Sequence, residues 1–364
     1  MNKNPCQELT DLLKGEPLGT FDVREYVLAQ VKEALRHDIC IYDSCDGCSK
    51  FLIKTAIGKK WAGKIGYDYD ASYFANLIYK AAFFPSGSIT PFDSSKYEYY
   101  IRVHGRCFRG DTMNSWKTTL IEYFRLFGNQ HLKYLTENKA GRNKGKWRVP
   151  DVCPEKLAKD FGANWSYVGW EDFLSIPKVY DADHPIPPYI SEFMKVAYTI
   201  GNFIPVPSGF QRRGTGHSKD YWDLALMCIY NDYAEKKEWP VKWPGYTLTW
   251  LLSGNAEALR LCRKWLDSYE SWDAFVEGNF LQDFVDEKTK NGYGMPKPLW
   301  TGHFDGNIMP RKDEDADDRA WQFREYFTNA AAWITARGTR IAAALAKSLG
   351  SAKEPESDAG EGSI

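Results

Sequence analysis

The sequence predicts an α+β protein that is mostly helical, with a small sheet and a long C-terminal helix. Apolar residues make up 43% of the 364 residues and aromatic residues 15%, and 47 basic side chains balance 48 acidic ones, as in a folded globular chain. Helix-like apolar spacing recurs in consecutive segments, which excludes an alternating β-α-β pattern. The longest such segment, about 317–349, carries an apolar stripe at Phe323, Phe327, Ala330, Ile334, Ile341 and Leu345.

Three helices and two strands are expected before the middle of the chain. The first strand is short, at 39–42. Apolar side chains every four residues predict a helix over 21–36, and a second helix is expected to open at 68–72. The aromatic and β-branched segment 97–108 predicts one strand. Helical spacing returns over 115–127.

The second half is expected to be mainly helical. After a proline-rich stretch, 191–196 suits a helix and 197–206 suits a strand that ends at prolines. A strong helix is predicted over 219–236. Further helices are predicted over 256–266, 271–278 and 280–286.

Charge marks the best boundary in the chain. Segment 133–148 holds six basic residues and one acidic residue, a net charge of +5, and two glycines, so it predicts a mobile basic loop. We therefore divide the chain into an N-terminal α+β region (1–132), a basic loop (133–150), a mainly helical region that carries the candidate site (151–349) and a disordered acidic tail (350–364). The two larger regions are expected to pack as one unit.

Composition limits the classes of function. Balanced charge excludes a polybasic coating protein and an acidic solvating protein. Residues 1–14 show no apolar signal region, and the longest uncharged stretch, 196–211, is too short and too rich in glycine and proline to cross a bilayer. Eight mostly scattered cysteines fit a reduced compartment, so we expect a cytoplasmic protein. We also expect no membrane contact and no cofactor.

Residues 202–223 form the block with the clearest chemistry. A strand-like segment is followed by a loop containing Gly214 and Gly216, and a helix is expected to begin near Ser218. A helix N-terminus attracts anions, and guanidinium groups match carboxylates and phosphates. The spacing fits neither a Walker loop nor a dinucleotide fingerprint. We predict an anion pocket formed by Asn202, Gln211, Arg212, Arg213, Lys219, Asp220 and Asp223.

A structural interpretation of the same block competes with the pocket. The predicted helix is apolar nearly all round, so we expect it to be buried. Asp223 would then need a partner, and Arg212 or Arg213 can supply one. Asp220, in the first turn, suits the helix dipole without any further purpose.

Three cysteines form a weaker constellation. Cys40, Cys45 and Cys48 have a spacing that a zinc site tolerates, and His37 is available as a fourth ligand. No second Cys-x2-Cys pair completes a structural zinc site. Ordinary cysteines in a turn are the alternative interpretation.

Two further segments carry polar or basic groups. His303 and Asp305 lie in a predicted loop, where functional side chains concentrate, and they are the first candidates for acid–base catalysis. The basic loop with Trp147 suits contact with a nucleic-acid backbone, although such a run is also typical of a solvated loop. Neither a Gly-x-Ser-x-Gly elbow nor a His-Glu-x2-His helix is present.

Short motifs in the C-terminal half suggest a relationship. They are YTIGN at 198–202, Arg213-Gly214 and DYWDL at 220–224, with weaker similarity at 280–286, 299–303 and 334–341. Through these motifs the sequence resembles, over Tyr198–Ile341, a family of uncharacterised bacterial proteins of unknown function. The resemblance implies no reaction, ligand or catalytic residue. The family pattern also has a Tyr-His pair near Ile78-Tyr79, and this sequence has no histidine there.

Two hypotheses of function follow, and whether the protein is an enzyme stays open. In the first, a cytoplasmic bacterial protein binds an anionic ligand, a nucleotide or a nucleic-acid phosphate, at the block that ends with Asp223. In the second, the protein binds a protein partner without catalysis, for example as a component of a mobile element or a defence locus. The arginines are then structural, and exposed aromatic side chains provide recognition.

Overall fold

The computed structural model describes residues 73–93, 98–114, 119, 123, 136–137, 147–148, 187–197, 199–207, 209–210, 221–239, 241–305 and 316–350. The predicted helix over 21–36, the strand over 39–42 and the tail after Gly350 lie outside these residues, as do most positions of the proposed domain boundaries. The predicted helix over 115–127 also lies outside, apart from Thr119 and Tyr123, which are both helical.

The fold class is confirmed, because the described residues combine seven α-helices with a four-stranded antiparallel sheet. The sheet has the order β1 (Ser88–Asp93), β2 (Glu98–Val103), β3 (Arg106–Thr112) and β6 (Phe203–Pro207). Helix α1 (Tyr73–Phe83) packs across it, with the ring of Phe84 4.5 Å from that of Phe108. β4 (Thr136–Glu137) and β5 (Trp147–Arg148) form a separate two-stranded ladder.

The second half is a series of helices, as the sequence predicts. It contains α2 (Pro188–Val196), α3 (Trp222–Lys236), α4 (Leu248–Leu251), α5 (Ala256–Leu266), α6 (Trp272–Gly278) and α7 (Ala316–Gly350). The side chains of Asn255 and Ser271 cap α5 and α6 by accepting the backbone N–H groups of Ala258 and Ala274. None of the helices in the described part is long and apolar enough to cross a bilayer.

Helix α7 spans 35 residues, about 50 Å, and holds the core together. Every member of its predicted apolar stripe is at most 2% exposed. Gly201 allows the backbone that precedes β6 to approach this helix closely, because a Cβ atom there would lie 1.9 Å from the carbonyl oxygen of Ile334. The guanidinium of the fully buried Arg337 donates to the backbone carbonyls of Gly201, Phe203 and Asn279 at 2.7–3.0 Å.

Four local predictions differ from the structure. The single strand over 97–108 is a hairpin, because His104 and Gly105 both have positive φ (45° and 74°) and form a two-residue turn. The predicted strand 197–206 starts only at Phe203, after a 3-10 turn. The predicted helix 280–286 is a 3-10 turn at Gln282–Phe284.

The fourth difference concerns α3, which begins at Trp222 and not near Ser218 or Lys219. Tyr221 is its N-cap, and its φ of −130° and ψ of 95° are those of extended backbone. The described helix therefore has its N-terminus at Trp222. Within the predicted basic loop, the ladder of β4 and β5 pairs Thr136 with Arg148 and Glu137 with Trp147, and the residues between the two strands lie outside the described part.

Candidate functional site

A buried aspartate and a buried histidine meet beside the first turn of α3. Asp223 is 1% exposed and His303 is 0% exposed, and the Nδ1 atom of His303 bonds to the Oδ2 atom of Asp223. The same oxygen accepts the backbone N–H of Leu299 at 2.8 Å, and Oδ1 accepts that of Leu224 at 2.9 Å. Because the carboxylate only accepts, the Nδ1 atom carries the proton of this bond. The pair joins α3 to the 299–303 segment.

Aromatic rings fix the orientation of His303. The ring of Trp300 stacks on the imidazole with a centroid distance of 3.5 Å, and the ring of Tyr221 meets it edge-on at 5.4 Å. The backbone N–H of His303 also donates to the carbonyl of Trp300, which closes a tight turn. The imidazole therefore has one defined orientation, with its Nε2 atom pointing away from Asp223.

Three buried side-chain nitrogens, two on the 300–303 turn and one beside the start of α3, have no hydrogen-bond partner among the described residues. They are the Nε2 atom of His303, the Nε1 atom of Trp300 and the Nδ2 atom of Asn114. The Oδ1 atom of Asn114 accepts the backbone N–H of Trp222 at 3.3 Å, which places this amide at the start of α3. An unpaired buried polar group costs about 1–3 kcal/mol, so these three indicate hydrogen-bonding atoms from outside the described residues.

The N-terminus of α3 itself is largely occupied by the protein. Asn114 accepts from Trp222, and Asp223 accepts from Leu224, whose N–H also lies 3.2 Å from the carbonyl of Tyr221. The carboxylate of Asp223 also places negative charge in the first turn, where it compensates the helix dipole. The backbone of this helix is therefore not the anion-binding element that the sequence predicts, and side chains must supply that chemistry.

Asn202 belongs to the framework of the site. It is 0% exposed, and its Nδ2 atom donates to the carbonyls of Asn114 and Ala197 at 2.9 and 2.7 Å. Its Oδ1 atom accepts the backbone N–H of Asn114 at 2.9 Å. Asn202 thus holds Asn114 in place and has no free donor for a ligand.

The remaining members of the predicted pocket lie outside the described residues. They are Gln211, Arg212, Arg213, Lys219 and Asp220. Asp220 is bonded directly to Tyr221, so the segment that carries them immediately precedes α3 in the chain. Among the described residues, Asp223 has a histidine and backbone N–H groups as partners. The Arg–Asp network of the structural interpretation stays a prediction, because Arg212 and Arg213 lie outside the described residues.

Asp305, two residues beyond His303, has a separate environment. Its Oδ1 atom accepts the indole N–H of Trp243 at 3.2 Å, and its side chain is exposed. Asp223, and not Asp305, is the carboxylate that orients His303. Of the two candidates for acid–base chemistry, only His303 therefore lies in the buried pair.

No group of three or more metal-ligating side chains is found within the described ranges. The predicted cysteine cluster, Cys40, Cys45 and Cys48, lies outside them. Cys228 and Cys262 are free, buried thiols, and burial raises the pKa of Cys262 to about 12. Both therefore behave as apolar core residues.

Sequence reasoning missed Asn114 and Trp300. Asn114 follows a strand and carries no local motif, and Trp300 lies within the 299–303 motif, from which we assigned it no role. Their role depends on contacts with residues more than 70 positions away or on ring stacking, which periodicity does not encode.

Compared with known proteins, the chain matches no protein-family model, and no curated protein or solved structure is significantly similar to it.

Proposed function

We propose that the protein binds an anionic ligand, a nucleotide or a nucleic-acid phosphate, where the 211–220 loop meets the first turn of α3. Arg212, Arg213 and Lys219 neutralise the anion in this proposal, and Gln211 orients it. Asp223 acts on the ligand indirectly, by holding His303. Asn202 acts in the same way on Asn114.

The cluster of unpaired nitrogens carries the proposal. The groups on Trp300 and Asn114 are donors, and the Nε2 atom of His303 is the third buried nitrogen without a described partner. A phosphate group accepts several hydrogen bonds at once, so it can satisfy donors that the described protein leaves unpaired. The segment 211–220, which carries Arg212, Arg213 and Lys219, immediately precedes α3 in the chain, and the proposal places its positive charge beside these donors. As part of the same proposal we place the protein in the bacterial cytoplasm, where nucleotides are abundant.

A thermal-shift titration of the full chain tests the proposal. Nucleoside mono-, di- and triphosphates, inorganic phosphate and a short single-stranded oligonucleotide are added at concentrations up to 100 times the Kd. A ligand that binds only the folded form at that excess stabilises it by about 2.7 kcal/mol, a clear increase in Tm. We expect Arg213→Ala to abolish the increase, because it removes one guanidinium from the proposed site.

Two further variants separate ligand binding from folding. His303→Asn keeps an N–H group beside Asp223 but removes Nε2, so it should retain a cooperative transition and lose much of the ligand-induced shift. Arg260→Ala removes an exposed arginine whose only described side-chain partner is Glu257, and it should respond to ligand as the parent does. If none of the probes raises the Tm of the parent, or Arg213→Ala responds as the parent does, the proposal fails.

A second candidate function is binding of a protein partner, as in a component of a mobile element or defence locus. The composition of the surface favours it, because the exposed large apolar side chains of the described part are all tryptophans, namely Trp239, Trp250 and Trp321. Tryptophan is enriched at interface hot spots. Arg213→Ala would then leave partner binding intact, whereas replacing an exposed tryptophan would weaken it.

A further inference from the structure

The segment that follows α3, together with α4, places three tryptophans within twelve residues. Trp239 and Trp250 are 39% and 37% exposed. Trp243, which lies between them in the sequence, is half-buried. The ring of Trp250 meets that of Tyr246 edge-on at 5.3 Å. We call Trp243 and Trp250, together with Lys242, the tryptophan platform.

This segment is held firmly although it is a surface connection. The buried amide of Asn231 donates to the backbone carbonyls of both Trp243 and Tyr246 at 2.9 Å. The hydroxyl of Tyr246 donates to the carbonyl of Phe304 at 3.1 Å. Aromatic side chains on such a fixed backbone lose little conformational freedom when they bind a ligand.

The platform adjoins the turn that carries His303. The indole N–H of Trp243 donates to Asp305 at 3.2 Å, and its ring lies 5.2 Å from that of Phe304. Phe304 follows His303 directly, and their rings are parallel to within 14° at 6.0 Å. The turn at 303–305 therefore contacts Asp223 through His303 and the platform residue Trp243 through Phe304 and Asp305.

The chemistry of the platform suits a nucleobase next to a phosphate. The ammonium group of Lys242 lies 4.2 Å from the centroid of the Trp243 ring, so a cation and an indole face are presented together. Bases stack on tryptophan irrespective of sequence, and lysine contacts the backbone phosphates. We propose that the platform binds the base of the ligand, so that the ligand is a nucleoside phosphate and not a small anion. This inference rests on the proposed function.

Matched pairs of ligands test the platform on the full chain by isothermal titration calorimetry. AMP is compared with ribose 5-phosphate, and a single-stranded oligonucleotide with an abasic strand of equal length. Base–aromatic stacking changes affinity by roughly 5- to 150-fold per base, so the member with bases should bind more tightly by that order. If tighter binding of the member with bases is confined to the oligonucleotide and its abasic counterpart, the ligand is a nucleic acid. If it is seen with AMP, the ligand is a nucleotide.

Variants then assign the preference to named side chains. Trp250→Ala should weaken AMP or oligonucleotide binding by about tenfold and leave ribose 5-phosphate or the abasic strand unaffected. Trp239→Ala is the matched control, because Trp239 has the same exposure and its described ring contact is with Tyr230. Trp243→Leu is a second test, with its melting curve compared with that of the parent.

The outcomes separate this inference from the proposed function. If Arg213→Ala loses binding while Trp250→Ala and Trp243→Leu retain the full preference for bases, the platform is overturned and the proposed function stands. Equal binding of AMP and ribose 5-phosphate, together with equal binding of the two strands, also overturns it. If the parent binds none of the four ligands, the proposed function fails and the platform fails with it.

Discussion

Replacing Asp223 with alanine tests the hydrogen bonds that connect α3 to the 299–303 segment. The carboxylate is 1% exposed and accepts hydrogen bonds from His303 and from the backbone N–H groups of Leu299 and Leu224. Leu224 retains a contact with the carbonyl of Tyr221 at 3.2 Å, so it does not lose its only acceptor. The substitution therefore leaves two buried donors unpaired, one on Leu299 and one on His303.

Each buried donor without a partner costs about 1–3 kcal/mol, so we expect Asp223→Ala to lower the free energy of unfolding by about 2–6 kcal/mol. A protein of ordinary stability, about 5–15 kcal/mol, would be severely weakened. The assay is urea denaturation followed by circular dichroism. Asp305→Ala is the control, because Asp305 is exposed and makes one described side-chain bond; it should cost about 0.5 kcal/mol.

A double-mutant cycle identifies the interaction directly. Asp223→Ala combined with His303→Ala should cost about 1–3 kcal/mol less than the sum of the two single substitutions, because the unpaired imidazole is then absent. Two results would contradict this hydrogen bond between Asp223 and His303. One is an equal loss of stability in Asp223→Ala and Asp305→Ala, and the other is simple additivity in the double-mutant cycle.

Three other perturbations have definite expected outcomes. Gly201→Ala should lower the Tm strongly or prevent folding, because its Cβ would meet the backbone of Ile334, whereas Gly245→Ala, with no atom within 4 Å of its Cβ, should leave the melting curve unchanged. Arg337→Met should cost about 3 kcal/mol or more in denaturant unfolding, because three buried carbonyls lose their donor. In alkaline solution Cys262 should destabilise the protein. Its thiol ionises near pH 9 when unfolded and near pH 12 when buried, so the unfolded state binds fewer protons in that window and stability falls as pH rises. Between pH 9 and 10.5, Cys262→Val should reduce the decline in the free energy of unfolding by about 1.1 kcal/mol per pH unit, and equal slopes for variant and parent would contradict the assignment.

Local patterns predict those parts of the fold whose causes are local. Helix α5 has the predicted bounds, because Asn255 caps it and its apolar side chains repeat with helical period. The stripe of α7 lies in the core for the same reason. The hairpin at His104 and Gly105 is not predicted, because only the positive φ of both residues divides an otherwise continuous strand-like segment.

The candidate site shows the same division between local and distant causes. His303 and Asp223 can each be selected from the sequence, but as members of two different candidate sites. Their contact spans 80 residues and depends on how α3 packs against the turn at 300–305. Asn114 has no local signal at all, since its role follows from its bonds to Asn202 and Trp222. Distant pairings of this kind become visible only once the elements are assembled.

The spare nitrogen of His303 is the point where the account is most directly tested. In protein labelled with 15N-histidine, the side-chain resonances of His303 are assigned by their absence from His303→Asn. Titration with AMP should shift the Nε2 resonance, because that atom gains a hydrogen bond, while Nδ1 remains bonded to Asp223 and changes little. An Nε2 resonance that stays fixed while AMP binds elsewhere on the protein would contradict the proposed site.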